Sequence, residues 1–282
     1  MEAFLDMRTI IFVSGVTSFI LFICMCYIRK RQKTYDGFVY WILAALSNSA
    51  GMFLLSMRGF LPDYLTMLIS NTLLILSIVF INTGLSLFSG VRYYKKAYIL
   101  LLSLFIIVFY YYIYVVPSLI DRAVIFSVFQ IMLCAIMVII AYRDLPRVLA
   151  RRNYILFWFL IFTVVWPFIR IIASFFAAET SNDLMKAGIS YQLNFLGSIT
   201  AYIVLLVGLI IINAQRIEQE MAKSKDQVKA ITGLIPICAS CKKIRDDKGS
   251  WSQLESYLNK NADLDFSHAI CPECMQKLYP EK

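Results

Sequence analysis

Residues Ile210–Ile231 read IIINAQRIEQEMAKSKDQVKAI, and within them an apolar, lipid-type segment gives way to a soluble helix without a break. Ile210, Ala214, Ile217, Met221, Ser224, Val228 and Ile231 recur at alternating steps of four and three, the seam of a short coiled coil. Such a helix leaves a bundle and reaches a compact head. Its apolar seam needs a partner helix, so the pattern predicts a homodimer. A seam this short that contains a Ser is marginal alone, and a solvated amphipathic spacer is the competing reading.

Composition sets the class of everything that precedes this helix. Of 282 residues, 60% are hydrophobic and 16% charged, and the mean hydropathy is +0.71, values foreign to a soluble domain. Lipid offers no partner to an unsatisfied backbone group, so helices are the expected spanning elements. Seven segments reach the roughly 20 apolar residues that a crossing needs: 9–28, 37–57, 64–88, 97–116, 123–142, 154–176 and 189–213. Pro62, Pro117 and Pro146 fall between them as turn punctuation. The expected architecture is an all-α membrane bundle of seven transmembrane helices over 1–213, a linker helix over 214–232, and a small C-terminal α+β module over 233–282. The first residues show no basic n-region or cleavage site, so no removable signal peptide is expected.

The net charge of +9 lies mainly between the apolar segments. Loops 29–36, 91–96 and 143–153 hold eleven Lys and Arg residues, whereas 1–8, 58–63, 117–122 and 177–188 hold only Arg8, Arg58, Arg122 and Lys186. The positive-inside rule then predicts an inner (plasma) membrane protein with its N-terminus outside and its tail in the cytoplasm. Membrane lipid headgroups, not nucleic acid, are the expected partners of this charge. Tyr110, Tyr111, Tyr112 and Tyr114 cluster near the outer end of the fourth segment; an interfacial belt accounts for them, and stacking on a ligand is the alternative.

Cys238-Ala-Ser-Cys241 and Cys271-Pro-Glu-Cys274 are the strongest local signal, two CxxC pairs separated by 29 residues. Four thiolates are the full tetrahedral set for a structural Zn²⁺ site, one ion per chain. A cytoplasmic location disfavours disulfides; an iron–sulfur cluster or a redox dithiol are the alternative readings. His268, three residues before Cys271, is a candidate second-shell or replacement ligand, or simply a surface residue. Between the pairs, Lys242–Arg245 and Asp246–Gly249 read as a strand and hairpin turn. Ser252–Asn259 reads as a short helix, Phe266–Ile270 as a further strand and Cys274–Tyr279 as a final helix. That order is treble-clef-like or zinc-ribbon-like, and a module this small needs its metal to fold.

The run from Gly233 through Cys238-Ala-Ser-Cys241-Lys-Lys-Ile-Arg-Asp-Asp-Lys-Gly249, then Trp251, Phe266 to Cys274 and Leu278 to Glu281, resembles a recurring C-terminal module of bacterial sensor proteins. That module is found behind PAS domains or sensory membrane regions. The seven-span region is similar in layout to the N-terminal sensor regions of bacterial histidine kinases. The resemblance implies signal transduction with a cytosolic signalling partner. No kinase or cyclase transmitter follows the seventh segment, so no catalytic residues and no enzyme activity are expected.

Arg170 is the one charge well inside a segment, about six residues from the outer end of the sixth, or roughly 9 Å along a helix. Trp166-Pro167 precedes it, and the Pro can bend the helix. Counting inward, Asn71, Gln130, Gln192 and Asn194 come out at similar depth. If these residues face inward, they form a polar layer in which Arg170 reads an anion from an outward-opening pocket. The alternative is a snorkelling Arg and structural interhelical amides. Asn48 and Asn82 lie deeper.

The apolar segments contain no Lys in the seventh, no His, and no acidic residue by the boundaries above. Retinal, haem and carboxylate-driven proton or sodium coupling are therefore not expected. Cys24 and Cys26 sit two residues apart, on different sides of a helix. The reading that fits best is a membrane sensor without its own output enzyme, relaying a ligand or membrane signal through the linker helix to a zinc module. A small-molecule transporter with a regulatory tail, or a scaffold anchoring a cytosolic protein, are the alternatives.

Overall fold

The computed structural model describes residues 6–149, 154–176, 184–186, 188–232, 236–246, 249–262, 266–267 and 269–279. Seven of its helices are long and apolar enough to cross a membrane, which fits a multi-pass membrane protein with a seven-helix region.

The helix ends follow local chemistry. α1 (Met7–Arg31) opens on Asp6, whose carboxylate accepts the Thr9 N–H at 3.1 Å, and closes on Arg29, Lys30 and Arg31, both favourable to the helix dipole. α2 (Phe38–Ser56) follows Gly37, which has φ 95°; a Cβ there would overlap the Gly84 carbonyl. α3 (Ser70–Phe88) continues from a π-helical stretch, Tyr64–Ile69. α4 (Lys95–Tyr114), α5 (Leu119–Arg143), the short α6 (Leu145–Leu149), α7 (Tyr154–Phe176) and α8 (Ile189–Thr232) complete the series.

α5 starts four residues earlier than the apolar pattern suggests. Ser118 caps it, its hydroxyl accepting the Asp121 N–H at 3.2 Å, and Ser-x-x-Asp is a capping-box spacing. Arg122, read as a loop charge in the sequence, is thereby carried into the helix and buried. The expectation of acid-free spans is corrected at the same place, because Asp121 occupies the first turn of α5. At the other end of α5, Asp144 is only 2% exposed and is held by Arg143 Nε at 3.1 Å and Arg147 Nη1 at 3.2 Å.

α2 packs against α1 and α3, while α5 packs against α7, α3 and α4. The core is built from Trp41, Phe38, Phe88, Phe105, Leu133 and Leu206, with their neighbours. Trp41 meets Phe38 edge-on at 5.6 Å and Phe88 at 5.4 Å, over a surface at Gly84 where any Cβ would overlap its indole. Small and amide side chains tie helix to helix, as expected where apolar burial cannot distinguish protein from lipid. The Ser47 hydroxyl donates to Leu73 O at 2.8 Å, that of Ser49 to Gly15 O at 3.0 Å, and Asn82 Nδ2 to Leu133 O at 3.1 Å.

The chain forms two compact units, Met1–Ile217 and Glu218–Lys282. In the first, Ile210 of the expected seam packs against the bundle core. In the second, Met221 is 66% exposed; the side chains of Val228 and Ile231 lie outside the described residues. The second unit also holds a hairpin of β1 (Ile244–Arg245) and β2 (Trp251–Ser252), paired antiparallel, then α9 (Leu254–Ala262) and α10 (Pro272–Leu278). Its turn is closed by Ser250 N–H to Asp246 Oδ1 at 2.7 Å, with Gly249 at φ 83°. The strand expected over 266–270 does not form among the described residues there; strands of two residues offer no edge long enough to recruit a third.

Candidate functional site

A cavity of about 170 Å³ lies inside the bundle. All seven spans wall it, through Ser14 of α1, Asn48 of α2, Asn71 of α3, Phe109 of α4, Gln130 of α5 and Arg170 of α7, with α8 closing the remaining side. α8 contributes Tyr191, Asn194, Ser198 and Tyr202.

Arg170 is fixed chiefly by α5. Its Nε donates to the Ser127 hydroxyl at 2.7 Å and Nη2 to Gln130 Oε1 at 2.9 Å. Ser127 and Gln130 are three apart, hence on one helical face. The Phe126 ring lies 5.0 Å from the guanidinium carbon, within cation–π range. Both acceptors are neutral, so they orient the fork without cancelling its charge, and Nη1 makes no hydrogen bond among the described residues. The described lining residues include no Asp or Glu.

Of the five residues expected at this depth, Arg170, Asn71, Gln130 and Asn194 line the cavity. Gln192 is buried but is not among the described lining residues; the adjacent Tyr191 takes that place. The two asparagines bond within their own helices, Asn71 Nδ2 to Met67 O at 2.7 Å and Asn194 Nδ2 to Ser190 O at 2.8 Å. Asn48, expected deeper, bridges to the Ser18 hydroxyl at 2.8 Å and forms part of the wall.

Two arginines missed by the sequence reading, Arg58 and Arg122, also line the cavity. Arg122 donates to Met67 Sδ at 3.3 Å; the Ser118 cap was the signal that would have placed it. Trp166 has a definite task. Trp166 Nε1 donates to the Ser198 hydroxyl at 3.2 Å and Asn194 O at 3.3 Å, and its ring occupies the space a Cβ at Gly197 would need. This contact seats α7 on α8 beside the cavity. Tyr202 OH adds a bond to Ala44 O of α2 at 2.9 Å.

Further along α8 is a second fastening. Asn213 exchanges two hydrogen bonds with the 33–37 loop, Nδ2 to Lys33 O at 3.3 Å and Oδ1 from Tyr35 N–H at 3.4 Å. Arg216 Nη1 donates to Phe88 O at 3.0 Å, and its guanidinium lies 4.0 Å from the Tyr35 ring and 5.2 Å from that of Phe88. The phenylalanine is the last residue of α3.

In the tail, each CxxC pair is hydrogen-bonded within itself. The Cys238 thiol is pulled below its ordinary range by backbone N–H groups of Cys241 and Ser240 and by the Cys241 thiol. Cys271, the N-cap of α10, is lowered in the same way by the backbone and thiol of Cys274. Such N–H···S bonds favour the thiolate. The two pairs do not converge: among the described residues no group of three or more His, Cys, Asp or Glu is close enough to share a metal ion. The four cysteines expected to share one zinc ion are thus not gathered into a single site among the described residues. His268 lies outside the described residues.

Comparison of the chain with protein-family models, with curated proteins and with solved structures finds no match.

Proposed function

We propose that this chain is a bacterial inner-membrane sensor with no enzymatic output domain of its own. The basic loops face the cytoplasm in this reading, and the cavity opens toward the outer side. Occupancy of the cavity biases the bundle, α8 carries the change, and the cysteine module presents it to a cytosolic signalling partner. The carrying observation is the double role of α8. The helix walls the cavity through Tyr191, Asn194, Ser198 and Tyr202, and about three turns later is fastened through Asn213 and Arg216 to the 33–37 loop and α3.

Met221, exposed on the same helix, supports a homodimer in which a second copy covers the seam. Cys238, Cys241, Cys271 and Cys274 would hold Zn²⁺ once the two pairs meet, and the metal would supply folding energy to the module. The resemblance of residues 233–281 to the C-terminal module of bacterial sensors supports the same assignment.

The test uses full-length protein in lipid nanodiscs. Ala123→Trp fills the cavity from its α5 wall. Hydrogen exchange at residues 33–37 should then change by several-fold. A variant that keeps wild-type thermal stability, with no change in exchange there, disproves the relay.

A further inference from the structure

We infer that the cavity takes a small organic monoanion: a carboxylate on an apolar body no larger than an aromatic ring, anchored by the Arg170 guanidinium. This assignment rests on reading the cavity as the sensor's input site. Charge is the first argument. A cation inside an apolar bundle is expensive unless a counter-charge or a full set of acceptors meets it. Arg170 has two neutral acceptors, Ser127 and Gln130. It has no carboxylate among the described lining residues, and its Nη1 has no hydrogen-bond partner among them. A ligand carboxylate supplies both missing terms, and guanidinium–carboxylate hydrogen bonds are among the strongest available.

Shape is the second argument. The volume of about 170 Å³ is close to that of an apolar cavity known to hold benzene, about 150 Å³. Met67, Leu74, Ile78, Phe109, Leu119 and Phe126 make most of its walls apolar, so a sugar-like ligand would lose more hydration than these walls return. Asn194 Oδ1, in the same wall, is buried without a hydrogen-bond partner among the described residues, a further polar group that an occupant can satisfy. Arg58 and Arg122 have partners of their own and are not needed for the assignment.

The experiment measures binding of benzoate, hexanoate and the neutral control benzamide to full-length protein in phosphatidylcholine nanodiscs, by calorimetry and thermal shift. Benzoate should bind saturably and at least tenfold more tightly than benzamide. Arg170→Gln should weaken benzoate at least tenfold and leave benzamide unchanged. Should Arg170→Gln fail to fold, Gln130→Glu serves instead: it places a carboxylate on the guanidinium and should abolish benzoate binding. Equal affinity for benzoate and benzamide, or Arg170-independent binding, overturns the proposal. So does phosphatidylglycerol stabilising the protein through Arg170 while no benzoate binds, which would assign the guanidinium to lipid phosphate. Arg170-dependent benzoate binding that leaves exchange at residues 33–37 untouched keeps the ligand class and removes the relay. No benzoate binding in protein whose 33–37 loop responds to Ala123→Trp removes the ligand class alone.

Discussion

Arg216→Ala should release the end of α8 from the bundle without unfolding the core. The guanidinium makes one charge-assisted hydrogen bond, to Phe88 O at 3.0 Å, and faces two rings, at 4.0 Å and 5.2 Å. Hydrogen bonds to charged groups contribute about 1.5–3 kcal/mol, and a partly exposed cation–π contact about 0.5–1 kcal/mol. The substitution therefore costs roughly 2–4 kcal/mol of local stability, the terms being only partly additive. At the lower figure the local opening equilibrium rises about 30-fold. Amide hydrogen exchange of full-length protein in nanodiscs should show that increase at residues 33–37 and 213–217. Trypsin should also cut after Lys33 sooner. Exchange around Trp41 and Phe105, in the core, should stay at wild-type level. Arg216→Lys keeps the charge but loses the planar fork, so it should fall between. Wild-type exchange at 33–37 in a folded Arg216→Ala protein would refute the fastening, and with it the route by which α8 is held.

Gly197→Ala puts a methyl into the Trp166 ring; it should cost about 1–3 kcal/mol of thermal stability and shift Trp166 emission in a background lacking the other tryptophans. Ser118→Ala removes the cap that starts α5 and should cost about 1 kcal/mol, visible in unfolding titrations in detergent. Asn82→Leu deletes the α3–α5 bond to Leu133 O; interhelical bonds of this kind average about 0.6 kcal/mol, so a loss near that size is expected in the same titration. Full-length protein should carry about one zinc per chain by elemental analysis, lost in Cys238→Ser; an iron chromophore would replace the cofactor assignment. In metal-stripped protein, iodoacetamide near neutral pH should modify Cys238 and Cys271 faster than Cys24, because lowered thiol pKa values raise the thiolate fraction.

Much of this molecule is written in its linear order. The number of spans follows from runs of about 20 apolar residues, and the hairpin at 244–252 follows from Asp246 and Gly249 at a turn. Arg170 was legible as a candidate because a charge inside an apolar helix has few cheap explanations. Its partner Gln130 was legible by depth, since distance along a helix is fixed at about 1.5 Å per residue. Depth says nothing about azimuth, which is why Gln192 was expected in the pocket and Tyr191 is found there. Arg122 was misread because hydrophobicity alone does not mark a helix start; the Ser118 cap does.

What the sequence by itself determined is the set of elements and their polarity: seven apolar helices, basic loops alternating with sparse ones, and two thiol pairs in a polar tail. Only the tertiary structure decided which faces meet. It set Ser127 and Gln130 against Arg170, lodged Trp166 against Gly197, and fastened Arg216 onto Tyr35 and Phe88 across more than a hundred residues of chain. The physical reason is that helix formation is governed by neighbours within about four residues. The rotation of one apolar helix against another is governed instead by small residues, glycine contacts and single hydrogen bonds, which hydrophobic periodicity cannot rank.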